Sequence, residues 1–195
     1  MADPQELMRA VRDRYAAVAR EPRGQFPYPV GVESLSRLGY DPRWTAAVPT
    51  DVAERFVGVG NPLRVRPPRP GESVLDVGCG CGVDTLVASQ LVGPPGRAIG
   101  LDATPEMLDY PRNAGELHGC AAAFVQGVVE QLPFVDGSFD LVISNGALNL
   151  ATDKDRSFSE IARVLAPTGE MIVADLIVRE AIPEHLLASM DAWST

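Results

Sequence analysis

The residues best suited to chemistry lie in one stretch, where an aspartate ends an apolar run and three glycines follow. Asp76 ends the run that begins at Ser73, and Gly78, Gly80 and Gly82 alternate behind it. Glycine lets a backbone turn tightly and approach a ligand with no side chain in the way. The apolar run predicts a strand buried on both faces, and helical spacing follows the glycines. A strand, a glycine loop and a helix form the nucleotide cradle of an open α/β sheet.

The spacing of the glycines and a second acid limit the class of cofactor. The third glycine comes one residue earlier than in the G-x-G-x-x-G dinucleotide fingerprint, and no Gly-Lys-Ser/Thr of a P-loop follows. Asp102 ends the next apolar run, which begins at Ala98. A carboxylate in that position suits the two hydroxyls of a ribose. The pattern predicts a nucleoside site and disfavours an NAD-dependent oxidoreductase; a tight turn with no ligand is the alternative.

Further motifs follow the glycine loop in a fixed order. They occupy residues 100–108, 132–134 with 138–140, 139–145 and 160–170. Together with residues 74–82 they resemble class I S-adenosylmethionine-dependent methyltransferases over roughly residues 55 to 180. The resemblance implies an α/β, Rossmann-like, mostly parallel sheet, with S-adenosylmethionine as the cofactor.

The resemblance also implies a set of cofactor-binding residues. The backbone amides of residues 78–82 would cradle the carboxylate of the methionine moiety, and Asp76 would lie at its amino-acid end. Asp102 would hold the ribose hydroxyls and Ala103 would flank the adenine. The full set is Asp76, Gly78, Cys79, Gly80, Gly82, Asp102, Ala103, Val128, Val129 and Asn145.

Two members of this set, Val128 and Asn145, are supported by different arguments. Val128 stands where the family usually has an acid beside the adenine, although Val129 could still offer its amide and Glu130 remains. Asn145 ends the fourth strand, where such sheets bind ligands, and a turn role is its alternative. The altered segment keeps open a second hypothesis, a catalytically inactive cofactor-binding or interaction protein on the same fold.

No catalytic residue can be assigned from the sequence. His118 lies near a predicted helix end and His185 in the last predicted helix, outside the expected cleft. Tyr15, Tyr28 and Tyr40 are the candidates for contact with the substrate, with simple packing as the alternative. Sulfur, selenium, nitrogen and activated carbon acceptors therefore stay open.

Residues 57–62 and 144–150 are similar to the arsenite methyltransferase-like branch of the family. The arsenic-binding cysteines of that branch are missing, because Gly146 stands at one such position and the N-terminal region has none. Arsenic(III) is a soft centre that needs several thiolates. Cys79 and Cys81 have no second pair with which to complete a zinc site, so no metal is predicted. We expect a small-molecule methyl acceptor other than arsenite.

Composition bounds the remaining choices. The 195 residues are 46% hydrophobic, with no apolar run long enough for a membrane span, and they carry a net charge of −9. The acid excess lies in residues 71–195 and argues against nucleic acid as a partner. Three cysteines and an N-terminus without signal-peptide features predict a cytoplasmic protein.

The chain divides into a helical N-terminal lid with a proline-rich connector, residues 1–70, and a cofactor-binding domain, residues 71–195. Helical segments are predicted near residues 3–20, 32–39, 42–47, 51–57, 83–92, 105–117, 153–165 and 184–192. Strands are predicted near residues 73–78, 97–102, 122–126, 139–144 and 170–178. Arg64, Arg66 and Arg69, set among prolines, are expected to be a solvated linker.

The fifth predicted strand leaves the sheet unfinished. The family core continues with two more strands, one of them antiparallel, whereas this sequence ends after one further helix. An open apolar edge recruits a partner strand. We expect either a fragment of a longer protein, which is the favoured interpretation, or an edge covered by the lid, a second copy or another chain.

Overall fold

The structure is a computed structural model that describes residues 3–118 and 122–177. Its strands are β1 (Ser73–Val77), β2 (Arg97–Asp102), β3 (Ala122–Gln126), β4 (Phe139–Asn145) and β5 (Leu165–Ala174). They pair in parallel in one sheet of order β3-β2-β1-β4-β5. The order reverses between β1 and β4, and a crevice for ligands opens there at the carboxyl ends of the strands. The predicted Rossmann-like sheet is confirmed.

Helices flank the sheet and precede it. They are α1 (Pro4–Arg20), α2 (Gly31–Arg37), α3 (Pro42–Thr45), α4 (Thr50–Ala53), α5 (Pro62–Val65), α6 (Val83–Val92), α7 (Pro105–His118) and α8 (Lys154–Val164). Asp3 and Asp153 cap α1 and α8, because each side chain accepts a hydrogen bond from an amide in the first turn. Among the described residues no helix has the length and apolar character to cross a membrane.

The core lies on both faces of the central strands. Leu75 of β1 and Leu141 of β4 are fully buried. Helix α6 packs on β1 and β2, and α3 of the N-terminal region covers it from the other side. An apolar helix covered in this way needs no polar face. Helices α1 and α4 pack on α7, which places the N-terminal region against the helices beside the crevice.

The fifth strand begins earlier than predicted and is interrupted. Phe139 pairs with Leu165, but the next pair is Leu141 with Glu170, so that residues 166–169 are looped out of the ladder. Pro167 within this loop cannot donate to a ladder, which explains the break. Beyond it the pairing is regular to Ala174, where the strand ends earlier than the predicted residue 178. Within the described part of the chain β5 pairs with β4 alone. The predicted helix 184–192 lies outside the described residues.

The expectation that the arginines before the sheet form a solvated linker is wrong for Arg66. Its side chain is only 12% exposed, because it forms ion pairs with Glu72 and Glu170. The Arg66 Nε atom donates to Glu170 over 2.8 Å and Nη2 donates to Glu72 over 2.7 Å. Hydrogen bonding from Arg66 lowers the pKa of Glu72. Arg66 thus ties the end of α5 to β5 and to the residue before β1, whereas Arg64 and Arg69 are exposed.

Replacing Arg66 tests this anchor. We expect Arg66→Met to lower the free energy of unfolding by about 1–3 kcal/mol, since two carboxylates lose their donor. Arg64→Met, two residues earlier and exposed, should change it by less than about 0.5 kcal/mol. Urea denaturation measures both values, and equal effects of the two substitutions would contradict the anchoring role.

Candidate functional site

The three glycines after β1 all adopt the left-handed backbone conformation, for different reasons. Their φ angles are +71° at Gly78, +52° at Gly80 and +80° at Gly82. A Cβ on Gly78 would lie 2.1 Å from the Cβ of Ala147, and one on Gly82 would lie 2.7 Å from the Phe124 ring. A Cβ on Gly80 would meet no atom within 4 Å. Packing therefore requires the first and third glycines, while the second faces open space.

Most amides of this loop are already bonded within the protein. Gly78 and Cys79 donate to the Leu101 carbonyl over 2.8 and 3.0 Å, Gly82 donates to the Cys79 carbonyl over 2.8 Å, and Gly80 donates to Asp102 Oδ2 over 2.9 Å. Of residues 78–82, only Cys81 has an amide with no hydrogen-bond acceptor in the described structure. The loop is therefore fixed to the end of β2, and one of its amides remains for a ligand.

Asp102 is the carboxylate that joins the loop to β2. Its Oδ1 atom accepts from the Thr104 amide over 2.8 Å and its Oδ2 atom accepts from Gly80. Burial raises the pKa of Asp102, and these backbone donors oppose the rise. Since a carboxylate oxygen can accept more than one hydrogen bond, both oxygens still have capacity for ligand hydroxyls.

A large cavity opens beside Asp102 at the switch point of the sheet. Seven of the ten predicted cofactor residues line it: Gly78, Gly80, Asp102, Ala103, Val128, Val129 and Asn145. Met8, Val11 and Tyr15 of α1 form the opposing wall. Its position at the switch point of an α/β sheet is one where small-molecule sites commonly occur.

Glu130 also lines this cavity and has one unsatisfied oxygen. Its Oε1 atom accepts from the amide and the hydroxyl of Thr152, each over 2.9 Å. Its Oε2 atom is buried and has no hydrogen-bond partner among the described residues. A buried acceptor without a donor is costly, so it points to a donor supplied from outside the protein.

A smaller cavity of about 370 Å³ lies on the other side of the glycine loop. It contains the remaining predicted residues, Asp76, Cys79 and Gly82. Gly78, Gly80 and Asn145 line both cavities. The predicted residues therefore surround two adjoining spaces that share the loop as a wall.

A buried polar cluster closes the end of the small cavity. Asp84 of α6 accepts from the Tyr40 hydroxyl over 2.7 Å and from the Asn145 amide nitrogen over 3.0 Å. Asn145 Oδ1 accepts from the amides of Val59 and Gly60 over 2.9 and 3.0 Å. The side chain of Asn145 is thus occupied in holding the segment before α5 on the end of β4.

The carboxyls in this cluster are perturbed by their surroundings. Burial raises the pKa of Asp84 to about 6, against the hydrogen bonds from Asn145 and Tyr40. Burial, followed by the charge of Asp84, raises the pKa of Asp76, whose Oδ2 atom accepts from the Thr85 hydroxyl over 2.7 Å. The two acids therefore titrate together, well above the usual range of a carboxyl.

The two cysteines of the loop lie in the packing around it. The Sγ atom of Cys81 is 3.3 Å from the Sδ atom of Met107. Burial raises the pKa of Cys79, and it raises that of Cys81 to about 12, so both are thiols at neutral pH. No cluster of metal-ligating side chains exists among the described residues.

Comparison with known proteins decides the family. Residues 68–195 match the family model described as a methyltransferase domain. The chain belongs to this methyltransferase family. It is 36% identical to an arsenite methyltransferase of Halobacterium salinarum, over 97% of this chain and 52% of that relative. It is 42% identical to a ubiquinone/menaquinone biosynthesis C-methyltransferase of Hahella chejuensis, over 55% of this chain and 44% of that relative.

A solved structure gives the same assignment. The arsenic(III) S-adenosylmethionine methyltransferase of Chlamydomonas reinhardtii matches with a TM-score of 0.68 and 39% identity, over 80% of this chain and 58% of that chain. The chain spans about half the length of the curated relatives that it matches. Family and structure confirm the resemblance seen in the sequence and imply S-adenosylmethionine as the cofactor.

The three tyrosines predicted to contact the substrate have three different positions. Tyr15 lines the large cavity. Tyr28 stacks on Phe26 with ring centres 5.1 Å apart and lines neither cavity. Tyr40 is buried in the cluster with Asp84 and does not face the large cavity either. Of the three candidates for substrate contact, the structure thus brings only Tyr15 to the site.

Sequence reasoning missed Asp84 and Arg55, which line the small cavity. The sequence did contain a signal for Asp84, because it is the only charged residue in the segment 83–92. Arg55 had none, since its position depends on how α4 packs against α7.

Replacing Tyr40 tests the buried cluster. The raised pKa of Asp84 means that the folded protein binds a proton more tightly than the unfolded chain, so this group lowers stability as pH rises from about 4 to about 6. Tyr40→Phe removes a donor to the ionised form and should raise that pKa further. We expect a loss in the free energy of unfolding of about 1–3 kcal/mol at pH 8 and a smaller loss at pH 5.

Tyr28→Phe is the matched control, because the Tyr28 hydroxyl has no hydrogen bond in the described structure. Urea denaturation at the two pH values measures both variants. A Tyr40→Phe deficit that is equal at both pH values, or no larger than that of Tyr28→Phe, would show that the cluster does not act in this way.

Proposed function

We propose that this chain transfers a methyl group from S-adenosylmethionine to a small, apolar acceptor bound in the large cavity. One observation carries the proposal. The cavity has the open Gly80 and the Asp102 carboxylate on one side and the apolar side chains of α1 on the other. In this proposal residues 1–70 are the lid that selects the acceptor, and residues 71–195 bind the cofactor.

The residues around the large cavity fit the nucleoside part of the cofactor. Asp102 would accept hydrogen bonds from the ribose hydroxyls. The buried Oε2 atom of Glu130 would accept from the adenine amino group, in place of the acid that is absent at Val128. The space left free at Gly80 is what a ligand crossing the loop requires.

The cavity wall also restricts the acceptor. No Lys, Arg, His or Cys is present among the described residues that line the large cavity. An anionic acceptor would meet Asp102 and Glu130 with no compensating cation, so the site favours neutral or cationic molecules. Arsenite would meet no thiolate there, although relatives of this chain are named arsenite methyltransferases.

Methyl transfer requires the protein to orient the reactants more than to transfer protons. Bound S-adenosylmethionine supplies an electrophilic methyl group on a sulfonium. The protein holds the acceptor in line with it and excludes water. Tyr15 faces the cavity, but burial raises the pKa of its hydroxyl, so the hydroxyl stays protonated and is not available as a base. The acceptor therefore brings its own nucleophile, such as a thiol, a selenol, an amine or an activated carbon.

Binding of S-adenosylhomocysteine tests the cofactor role of Asp102. We expect Asp102→Asn to weaken binding by about 10- to 100-fold, because charged acceptors of two hydroxyl groups are lost. Asp109→Asn, on an exposed position of α7, should leave the affinity unchanged. Isothermal titration calorimetry measures both, with thermal unfolding as a check of the fold. Unchanged affinity in Asp102→Asn would refute the ribose role, and no heat with the wild-type protein would refute the function.

A transfer assay tests the acceptor class. With methyl-labelled S-adenosylmethionine, we expect label in apolar thiols or electron-rich aromatic compounds and none above background in arsenite supplied with glutathione. Mass spectrometry of the products identifies the methylated atom. Transfer to arsenite that exceeds transfer to every apolar acceptor would overturn this assignment.

A further inference from the structure

The small cavity beside the glycine loop is lined by two carboxyl groups and by a guanidinium group. The carboxyl groups of Asp76 and Asp84 lie on the side of β1 and α6. Arg55, which follows α4, is the only basic side chain among the described residues that line either cavity. A space bounded in this way suits a zwitterion better than a simple anion or cation.

A carboxylate in this cavity would find few backbone donors. The amides of Gly78, Cys79, Gly80 and Gly82 are bonded within the protein, which leaves that of Cys81. A buried carboxylate needs several hydrogen bonds or a positive charge to replace its hydration. The glycine loop alone therefore supplies too little for the carboxylate that the family cofactor carries.

The side chain of Arg55 is held by two backbone carbonyls, and one nitrogen of its guanidinium group is free. Its Nε atom donates to the Ala19 carbonyl and its Nη1 atom to the Asp51 carbonyl, each over 2.7 Å. The guanidinium carbon lies 3.9 Å from the centre of the Tyr110 ring. Its Nη2 group has no hydrogen bond, and no carboxylate of the described residues forms an ion pair with it.

The charge of Arg55 reaches the glycine loop. Burial raises the pKa of the Cys81 thiol, and the nearby Arg55 charge lowers it. The guanidinium therefore acts on the same loop residue that has the free amide. Arg55 and Cys81 also line the same small cavity, so a ligand in it would lie beside both.

We propose that Arg55 is a cofactor-binding residue, whose Nη2 group binds the α-carboxylate of S-adenosylmethionine in the small cavity. The inference rests on the proposed function, because it assumes that the cofactor binds at this loop. The acidic wall formed by Asp76 and Asp84 then faces the α-ammonium group. A residue of the N-terminal lid would thus complete the cofactor site of the sheet.

A ligand that lacks only the carboxylate isolates this contact. Calorimetry compares S-adenosylmethionine with decarboxylated S-adenosylmethionine for the wild-type protein and for Arg55→Met. We expect the wild-type protein to bind the decarboxylated ligand about 10- to 100-fold more weakly, since a charged hydrogen bond is lost. In Arg55→Met the two ligands should bind within about twofold of each other, because the group that distinguishes them is gone.

Two further variants separate binding from structure. Arg64→Met removes an exposed lid arginine and should keep the wild-type preference. Arg55→Lys keeps the charge without the planar donor pair and should keep part of the preference. If Arg55→Met weakens both ligands equally, or keeps the full preference, the role of Arg55 is overturned while the proposed function stands. If the wild-type protein binds neither ligand, the proposed function fails first.

Discussion

The amide side chain of Asn145 is the contact on which the arrangement of both cavities depends. It is the last residue of β4, and it bonds to Asp84 on one side and to the amides of Val59 and Gly60 on the other. A Cβ on Gly58 would lie 2.5 Å from its nitrogen, so the segment can approach only because that residue has no side chain. The sheet, α6 and the N-terminal region therefore meet at Asn145. An apolar residue in its place would leave several buried polar groups without hydrogen-bond partners.

This contact explains how the N-terminal region forms part of a site at the end of the sheet. Helix α1 and the segment after α4 contribute side chains to the two cavities, but neither pairs with the sheet. The contacts of Asn145 and Arg66 hold the last part of this region on the sheet, and α1 and α4 pack on α7. The sheet supplies the loop and the carboxylates, while the region before it supplies the apolar wall.

Much of the sheet could be predicted because its signals are local. Strands β1 and β2 are apolar runs that end in an aspartate, and Pro105 after Thr104 indicates the start of α7. The order of the glycines predicted the loop, and the spacing to Asp102 predicted the carboxylate beside it. Both are properties of a few consecutive residues, which is where sequence patterns are strongest.

The rest depended on contacts between residues distant in sequence. Arg66 appears solvated among its prolines, and only pairing with Glu170, about a hundred positions away, buries it. The early start of β5 at Leu165 arises because Phe139 is its partner across a looped segment. Tyr40 is similar to the other lid tyrosines in the sequence, and its partner Asp84 lies in α6. Such pairings follow from tertiary packing, and no local pattern encodes them.

The bonded loop amides have an energetic consequence for the site. A loop tied to Leu101 and Asp102 before any ligand arrives has little conformational entropy left to lose when one binds. The ordering cost of association then falls on the side chains of α1 that close the large cavity. In the proposed function, the loop would bind the cofactor without rearranging, and the side chains of α1 would adjust to different acceptors.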